Sequence, residues 1–205
     1  MGRTFKVWML TATLVGINSI SNAAPATFTA TLSGAAENPP VVTAGNGSAT
    51  VTLDTAAHTL VINVTFANLT GTSTMAHIHC CAAAPTNSGV ASMLPAFTGF
   101  PLGVSSGTFL NTFNTLDTSS WNPVFITNNG GTPVGAEAAL ATALAAGQAY
   151  LNIHSSTNGA GEIRGFLAPP AVPIAQVPTL SVYAFGALAL LLAAAGFFAL
   201  RRRSA

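Results

Sequence analysis

Charge is what this chain has least of. Only 5% of its 205 residues are Asp, Glu, Lys or Arg, against roughly 25% in ordinary soluble domains. Five of the six bases lie at the ends: Arg3 and Lys6 at one, Arg201, Arg202 and Arg203 at the other. Between them a single base, Arg164, faces five acids, Glu37, Asp54, Asp117, Glu137 and Glu162. The formal +1 of the chain therefore hides a middle segment of net −4. With one arginine and no lysine, that segment has no basic patch for nucleic acid. Also missing are a Ser-His-Asp order, a phosphate-cradling glycine loop and a paired acidic dyad. No catalytic constellation is legible, and the chain reads as a non-enzyme. Cysteine is scarce too, with Cys80 and Cys81 the only two. Polarity comes instead from Thr, Ser and Asn, the palette of an exported β protein.

Both ends read as addresses. Residues 1–23 have the three parts of a secretory signal peptide. Arg3 and Lys6 form its basic region, Val7 to Ile17 its apolar run, and Ser21-Asn22-Ala23 its small-residue cleavage site. That apolar run is too short for the ~20 residues of a spanning helix. At the other end, residues 169–177 hold Pro169, Pro170 and Pro173, a stiff linker. Residues 182–200 then carry no charge, long enough for a transmembrane helix. Arg201, Arg202 and Arg203 follow at once, and the positive-inside rule puts them in the cytoplasm with the ectodomain outside.

The middle is β-like text. Phe28, Ala30 and Leu32 alternate with Thr27, Thr29 and Thr31. Ala49, Val51 and Leu53 alternate likewise, as do Leu60, Ile62, Val64 and Phe66, and these two runs predict a hairpin. His58 falls in its turn and reads as a solvated residue. Further strands are predicted near 74–80, 107–114, 150–154 and 162–167. One helix is predicted over 134–147, with Leu140 and Leu144 at i, i+4 and Gly147 as its stop. Seven or eight short strands separated by turn signals predict an all-β antiparallel sandwich or barrel with one inserted helix.

Three of the four histidines lie in two of these strands, Ala76-His-Ile-His79 and Tyr150-Leu-Asn-Ile-His154. Alternate strand residues point to opposite faces. If Ile78 and Ile153 face the core, then His77, His79 and His154 leave it on one side. Two imidazoles at i, i+2 plus a third from a neighbouring strand suit copper or zinc. No carboxylate lies within ten residues of His77 or His79 to build a two-metal site. The other reading is that these histidines hydrogen-bond the loops that follow them, with Asn152 and Tyr150 in the same polar face. Cys80 and Cys81 are read as a vicinal disulfide. Reduced metal ligands and a cross-link between chains are the alternatives. A vicinal bond requires the backbone to leave strand geometry, so any ligand site is expected at the strand's exit, among the loops. Glu162 and Arg164 share a strand face and are expected to pair with each other or with loop groups.

The order Ala76-His-Ile-His79, Ala-rich helix, Tyr150-Leu-Asn-Ile-His154 and Gly161-Glu-Ile-Arg-Gly165 resembles the CHRD domain of exported bacterial proteins. The resemblance covers residues 26–168. It implies a Greek-key-like β-sandwich, similar to immunoglobulin or superoxide dismutase domains. In the latter, copper is held partly by an HxH strand, which encourages the reading of a redox or metal protein. Residues 178–205 resemble an IPTL-CTERM sorting signal, a relative of PEP-CTERM. Pro178, Thr179, Leu180 and Ser181 carry the short motif, with Val177 in place of Ile. That resemblance implies an exosortase-type processing enzyme in a Gram-negative bacterium, and exopolysaccharide as a matrix partner. The expectation is a surface-sorted, non-enzymatic binding or structural module of the envelope or extracellular matrix. The alternative is a copper or zinc protein using His77, His79 and His154.

Overall fold

In the strands 26–33, 46–54 and 59–67, period-two alternation does what it predicts: the apolar set turns inward and the Thr/Ser/Asn set faces the other way. The computed structural model describes residues 24–170 and 182–203. The signal peptide at 1–23 and the motif Pro178–Ser181 lie outside the described residues, as does most of the linker.

Seven strands form in the first unit: β1 (Ala26–Ser33), β2 (Asn46–Asp54), β3 (Thr59–Ala67), β4 (Ser73–Cys80), β5 (Gly107–Asn114), β6 (Ala149–Ser155) and β7 (Ile163–Phe166). All ladders are antiparallel, and the order is β4-β6-β7-β1-β2-β3-β5. β2 and β3 make the expected hairpin, with Val51 opposite Ile62. Asp54 Oδ1 accepts from the amides of Ala56 and Ala57 and so closes the turn. Phe28, Leu32, Val51, Leu60, Ile62, Val64, Ile78, Leu151, Ile153 and Ile163 all enter one core.

The antiparallel β architecture expected as a sandwich or barrel takes the form of seven strands paired into one curled sheet. The joint is narrow. β1 and β7 share a single register pair, Ser33 with Arg164, and Thr29 exchanges two backbone hydrogen bonds with Ala168 further along. Gly165 sits at this joint because a Cβ there would be driven into the Thr31 carbonyl oxygen.

Two helices form where one was expected: α1 (Pro123–Asn128) and α2 (Pro133–Ala145). Both begin with Pro in the first turn behind a capping side chain, Asn122 and Thr132 respectively. Gly147 takes φ +66° and donates to the Leu144 carbonyl, the left-handed stop expected after α2. α1 is too short for a readable period. His58 is not simply solvated: its Nδ1 lies 3.1 Å from Glu137 Oε2 of α2 and ties the β2–β3 turn to that helix.

The long stretch after β4 is irregular but not loose. It folds back along the outer edge of β4 through Ala91 N–H to the Ile78 carbonyl and Phe97 N–H to the Ala76 carbonyl. Ala91, Met93 and Phe97 are buried beneath it. This segment is the roof of the site described next.

In the second unit, α3 (Val182–Arg203) contains the apolar run. Among the described residues, no helix is long and apolar enough to cross a membrane. Residues 182–200, expected to be helical, lie within this one helix, which runs on through the charged Arg201, Arg202 and Arg203.

Candidate metal centre

The β4–β6 ladder brings the two histidine strands side by side. His77 lies opposite Asn152, His79 opposite Tyr150, and His154 opposite Met75. Ile78 and Ile153 are fully buried in the core, so the three imidazoles share the other face. That face is covered as well: His77 is 2% exposed, His79 9% and His154 6%. The ring centroids are 5.4 to 5.9 Å apart.

Each ring is anchored by one nitrogen to a backbone carbonyl. His77 Nε2 lies 2.6 Å from the Pro95 oxygen, His79 Nδ1 2.8 Å from Ser88, and His154 Nδ1 3.0 Å from Gly159. A carbonyl only accepts, so each of these nitrogens carries the proton. The neutral tautomers are thereby set, and the lone pairs fall on His77 Nδ1, His79 Nε2 and His154 Nε2. These three nitrogens are buried and have no hydrogen-bond partner. One nitrogen from each ring lies within 4.8 Å of the other two. Two imidazoles on one tetrahedral zinc stand about 3.3 Å apart, given Zn–N of about 2.0–2.1 Å.

Burial keeps the rings neutral. It pushes His77 down to about 4, against the raising effect of the Pro95 bond and with help from His154. It pushes His79 down to about 4 as well, and lowers His154. Neutral imidazole is the form that binds a metal, so no proton must leave at neutral pH.

Around the rings lies a second layer, of which the sequence disclosed Tyr150 and Asn152 as sharing their face. Tyr150 stacks on His79 with centroids 4.8 Å apart and the planes within 6°. The Tyr150 hydroxyl accepts from Ser88 N–H, the residue whose carbonyl holds His79. Arg164, 1% exposed, places its guanidinium carbon 4.7 Å from the Tyr150 ring centroid. Its nitrogens donate to the Ala36 carbonyl, Asn87 Oδ1 and the Pro85 carbonyl. Arg164 therefore clamps two distant loops over the site. Its nearest carboxylate is Glu37 at 3.8 Å, not Glu162. Burial raises the Glu37 carboxyl to about 7, and Arg164 offsets only part of this. Glu162 turns away to accept from Thr43 Oγ1 and the Thr70 amide. Of the expected alternatives for Glu162 and Arg164, pairing with loop groups is the one formed.

A model of the CHRD domain matches residues 28–167. The chain belongs to the CHRD domain family. A model of the IPTL-CTERM motif matches residues 175–203. No curated protein and no solved structure matches the chain. The CHRD domain and its sorting signal together point to an exported, surface-sorted protein, and a signal of this type implies processing by an exosortase-like enzyme.

Within the CHRD domain, the three sequence-selected histidines come together, and Cys80 and Cys81 stand beside them without joining them. The cysteines are adjacent across a cis peptide at the end of β4. Cys80 belongs to the core side. The centre itself lies on the face of the ladder rather than at the strand's exit, because the roof returns over β4 and supplies the Ser88 and Pro95 carbonyls. Glu37 is the residue that sequence reasoning missed. It lies in a loop after β1, and only the Arg164 clamp brings it near.

Proposed function

We propose that this surface-sorted CHRD protein is a metal-binding module in which His77, His79 and His154 hold one copper or zinc ion. Two observations support the reading together: each ring keeps one buried, unpartnered nitrogen, and one nitrogen from each ring lies within 4.8 Å of the other two. Each opposite nitrogen donates to a backbone carbonyl, the outer arrangement that fixes metal-binding histidines elsewhere. Isothermal titration of the purified full-length protein with Cu²⁺ and Zn²⁺ tests it. One-to-one saturable binding is expected in the wild type and its loss in His79→Ala. No saturable binding of either ion in the wild type would end the reading.

A second reading, compatible with the first, is a non-enzymatic binding or structural role in the envelope or extracellular matrix. It is favoured by the outer face of β1, β2, β3 and β5. There Thr29, Thr50 and Asn63 lie in one cross-strand row and Thr31, Ser48, Thr65 and Thr108 in another, with no charge among them. Exopolysaccharide suits such a face. A deletion strain scored for matrix attachment and complemented with His79→Ala separates the roles, since rescue by the variant assigns attachment to the face and not to the metal. The proposal includes export by residues 1–23 in a Gram-negative cell and a covalent bond between Cys80 and Cys81. Alkylation without reductant should leave the intact mass unchanged; two added groups would rule the bond out.

A further inference from the structure

The three histidines supply three ligands, and among the described residues no fourth His, Cys, Asp or Glu joins their group. Three-ligand copper and zinc sites keep a position for something from outside. What that something is depends on the wall beside the rings.

Asn152 stands directly opposite His77 in the ladder and two residues before His154, so its side chain shares their face. It is 3% exposed, and its Oδ1 has no partner. Asn152 and His79 both line a cavity of about 180 Å³ that also takes in Glu37, Ser88 and Arg164. A water's share of liquid volume is about 30 Å³, so the space exceeds a single water. Glu37 Oε1 and Ser88 Oγ are likewise buried without partners. A Cβ added at Gly161 would meet Asn152 Nδ2 at 2.5 Å and Glu37 Oε1 at 2.8 Å, so these two side chains converge where the glycine leaves room. The obvious donor, Arg164, is engaged by Ala36, Asn87 and Pro85. Of these unpartnered atoms, Asn152 Oδ1 can only accept a hydrogen bond. A buried acceptor left unmade costs about 1–3 kcal/mol, and a ligand without a proton does nothing for it.

We propose that the His77–His79–His154 centre takes a small exogenous protic oxygen ligand through this cavity. Solvent water is its resident occupant, and Asn152 Oδ1 accepts the ligand's proton in a hydrogen bond. Asn152 is a positioning residue, with Glu37 next behind it. The inference rests on the metal reading above, and the experiment separates the two.

Full-length protein is loaded with one equivalent of Cu²⁺. Electron paramagnetic resonance reports whether nitrogen donors hold the copper. Bulk-water proton relaxation, against a zinc-loaded control, reports whether an exchanging water sits on it. Azide then competes, as an anion with no proton to donate at neutral pH. The expected results are nitrogen-ligated copper, an enhanced water relaxation rate, and loss of that enhancement with a changed copper spectrum on adding azide. In Asn152→Leu the resident water loses its acceptor, so azide should displace it about tenfold more readily, the worth of one hydrogen bond. A nitrogen-ligated spectrum with no relaxation enhancement and no response to azide would overturn the proposal and leave the metal reading standing. An unchanged azide affinity in Asn152→Leu would overturn the role of Asn152. Absence of nitrogen-ligated copper would overturn the proposal, and absence of zinc binding as well would overturn the metal reading. The wild-type measurements decide the open position whether or not the variant folds.

Discussion

His79→Phe is the sharpest perturbation of the centre, because phenylalanine keeps the ring and removes both nitrogens. The stack on Tyr150, 4.8 Å between centroids, is retained in kind. The bond from Nδ1 to the Ser88 carbonyl is lost, at about 1 kcal/mol. The unpartnered Nε2 is lost too, and its removal returns about 1–3 kcal/mol of desolvation. The metal-free variant should therefore lie within about 2 kcal/mol of the wild type. With metal the two should part. A ligand at a hundred times its Kd stabilises the native state by about 2.7 kcal/mol. For a domain of this size each kcal/mol moves Tm by about 2–4 °C, so the wild type should gain about 5–10 °C. The assay is thermal unfolding of both full-length proteins in EDTA and in excess Zn²⁺. A wild-type rise that persists in His79→Phe would refute the placement of the metal. A metal-free variant weakened by more than about 4 kcal/mol would refute the claim that Nε2 lacks a partner.

Acid should destabilise the metal-free domain in a defined window. His77 and His79 titrate at about 4 when folded and near 6.5 when unfolded. The unfolded chain binds more protons between those values, so stability falls as pH drops from 6.5 to 4, by about 3 kcal/mol per residue at most. Glu37, raised from 4.5 to about 7, acts in the opposite sense: its contribution is full below 4.5 and is lost as pH rises through 7. Glu37→Gln removes that opposing slope, so urea unfolding in EDTA should show a steeper acid loss in the variant, and equal slopes would count against the assignment. Arg164→Met should cost about 3–5 kcal/mol in urea unfolding, the range for breaking a buried charged network, and lower metal affinity as the Ser88 loop loosens. A loss under about 1 kcal/mol would remove Arg164 as the clamp. Gly165→Ala should cost more than about 2 kcal/mol, since its Cβ would force β7 from Thr31. Unchanged stability there would refute the close β1–β7 joint.

Most of the sheet was legible because alternation is a local property. Phe28-x-Ala30-x-Leu32 states its own face without reference to any partner, and so does Leu60-x-Ile62-x-Val64. The joint between β1 and β7 was not legible, since one register pair, Ser33 with Arg164, leaves no pattern in either strand. The roof was opaque for a related reason. Ala91, Met93 and Phe97 are spaced for no regular element, and the segment is held by backbone groups that any residue would supply. The three imidazoles were visible as residue types, whereas their anchors, the carbonyls of Ser88, Pro95 and Gly159, have no signature in sequence. Glu37 was invisible because its neighbour Arg164 lies far along the chain and both belong to loops or ends of strands.

The choice between a metal centre and a hydrogen-bonded polar face turns on the second nitrogen of each ring. The loops that follow the strands do accept hydrogen bonds from the histidines, which satisfies Nε2 of His77 and Nδ1 of His79 and His154. Those bonds alone leave three buried lone pairs without a partner, at about 1–3 kcal/mol each. Asparagine or glutamine could bond the same carbonyls and carry no second ring nitrogen. Burial also lowers all three rings' affinity for protons, so acid cannot fill the gap near neutral pH. In a segment with one arginine and no lysine, the cation proposed above would answer all three lone pairs at once. The scarcity of charge noted first in the sequence thus bears on the site. The one middle arginine is tied up holding the loops, so a positive charge at the proposed centre would have to come from outside.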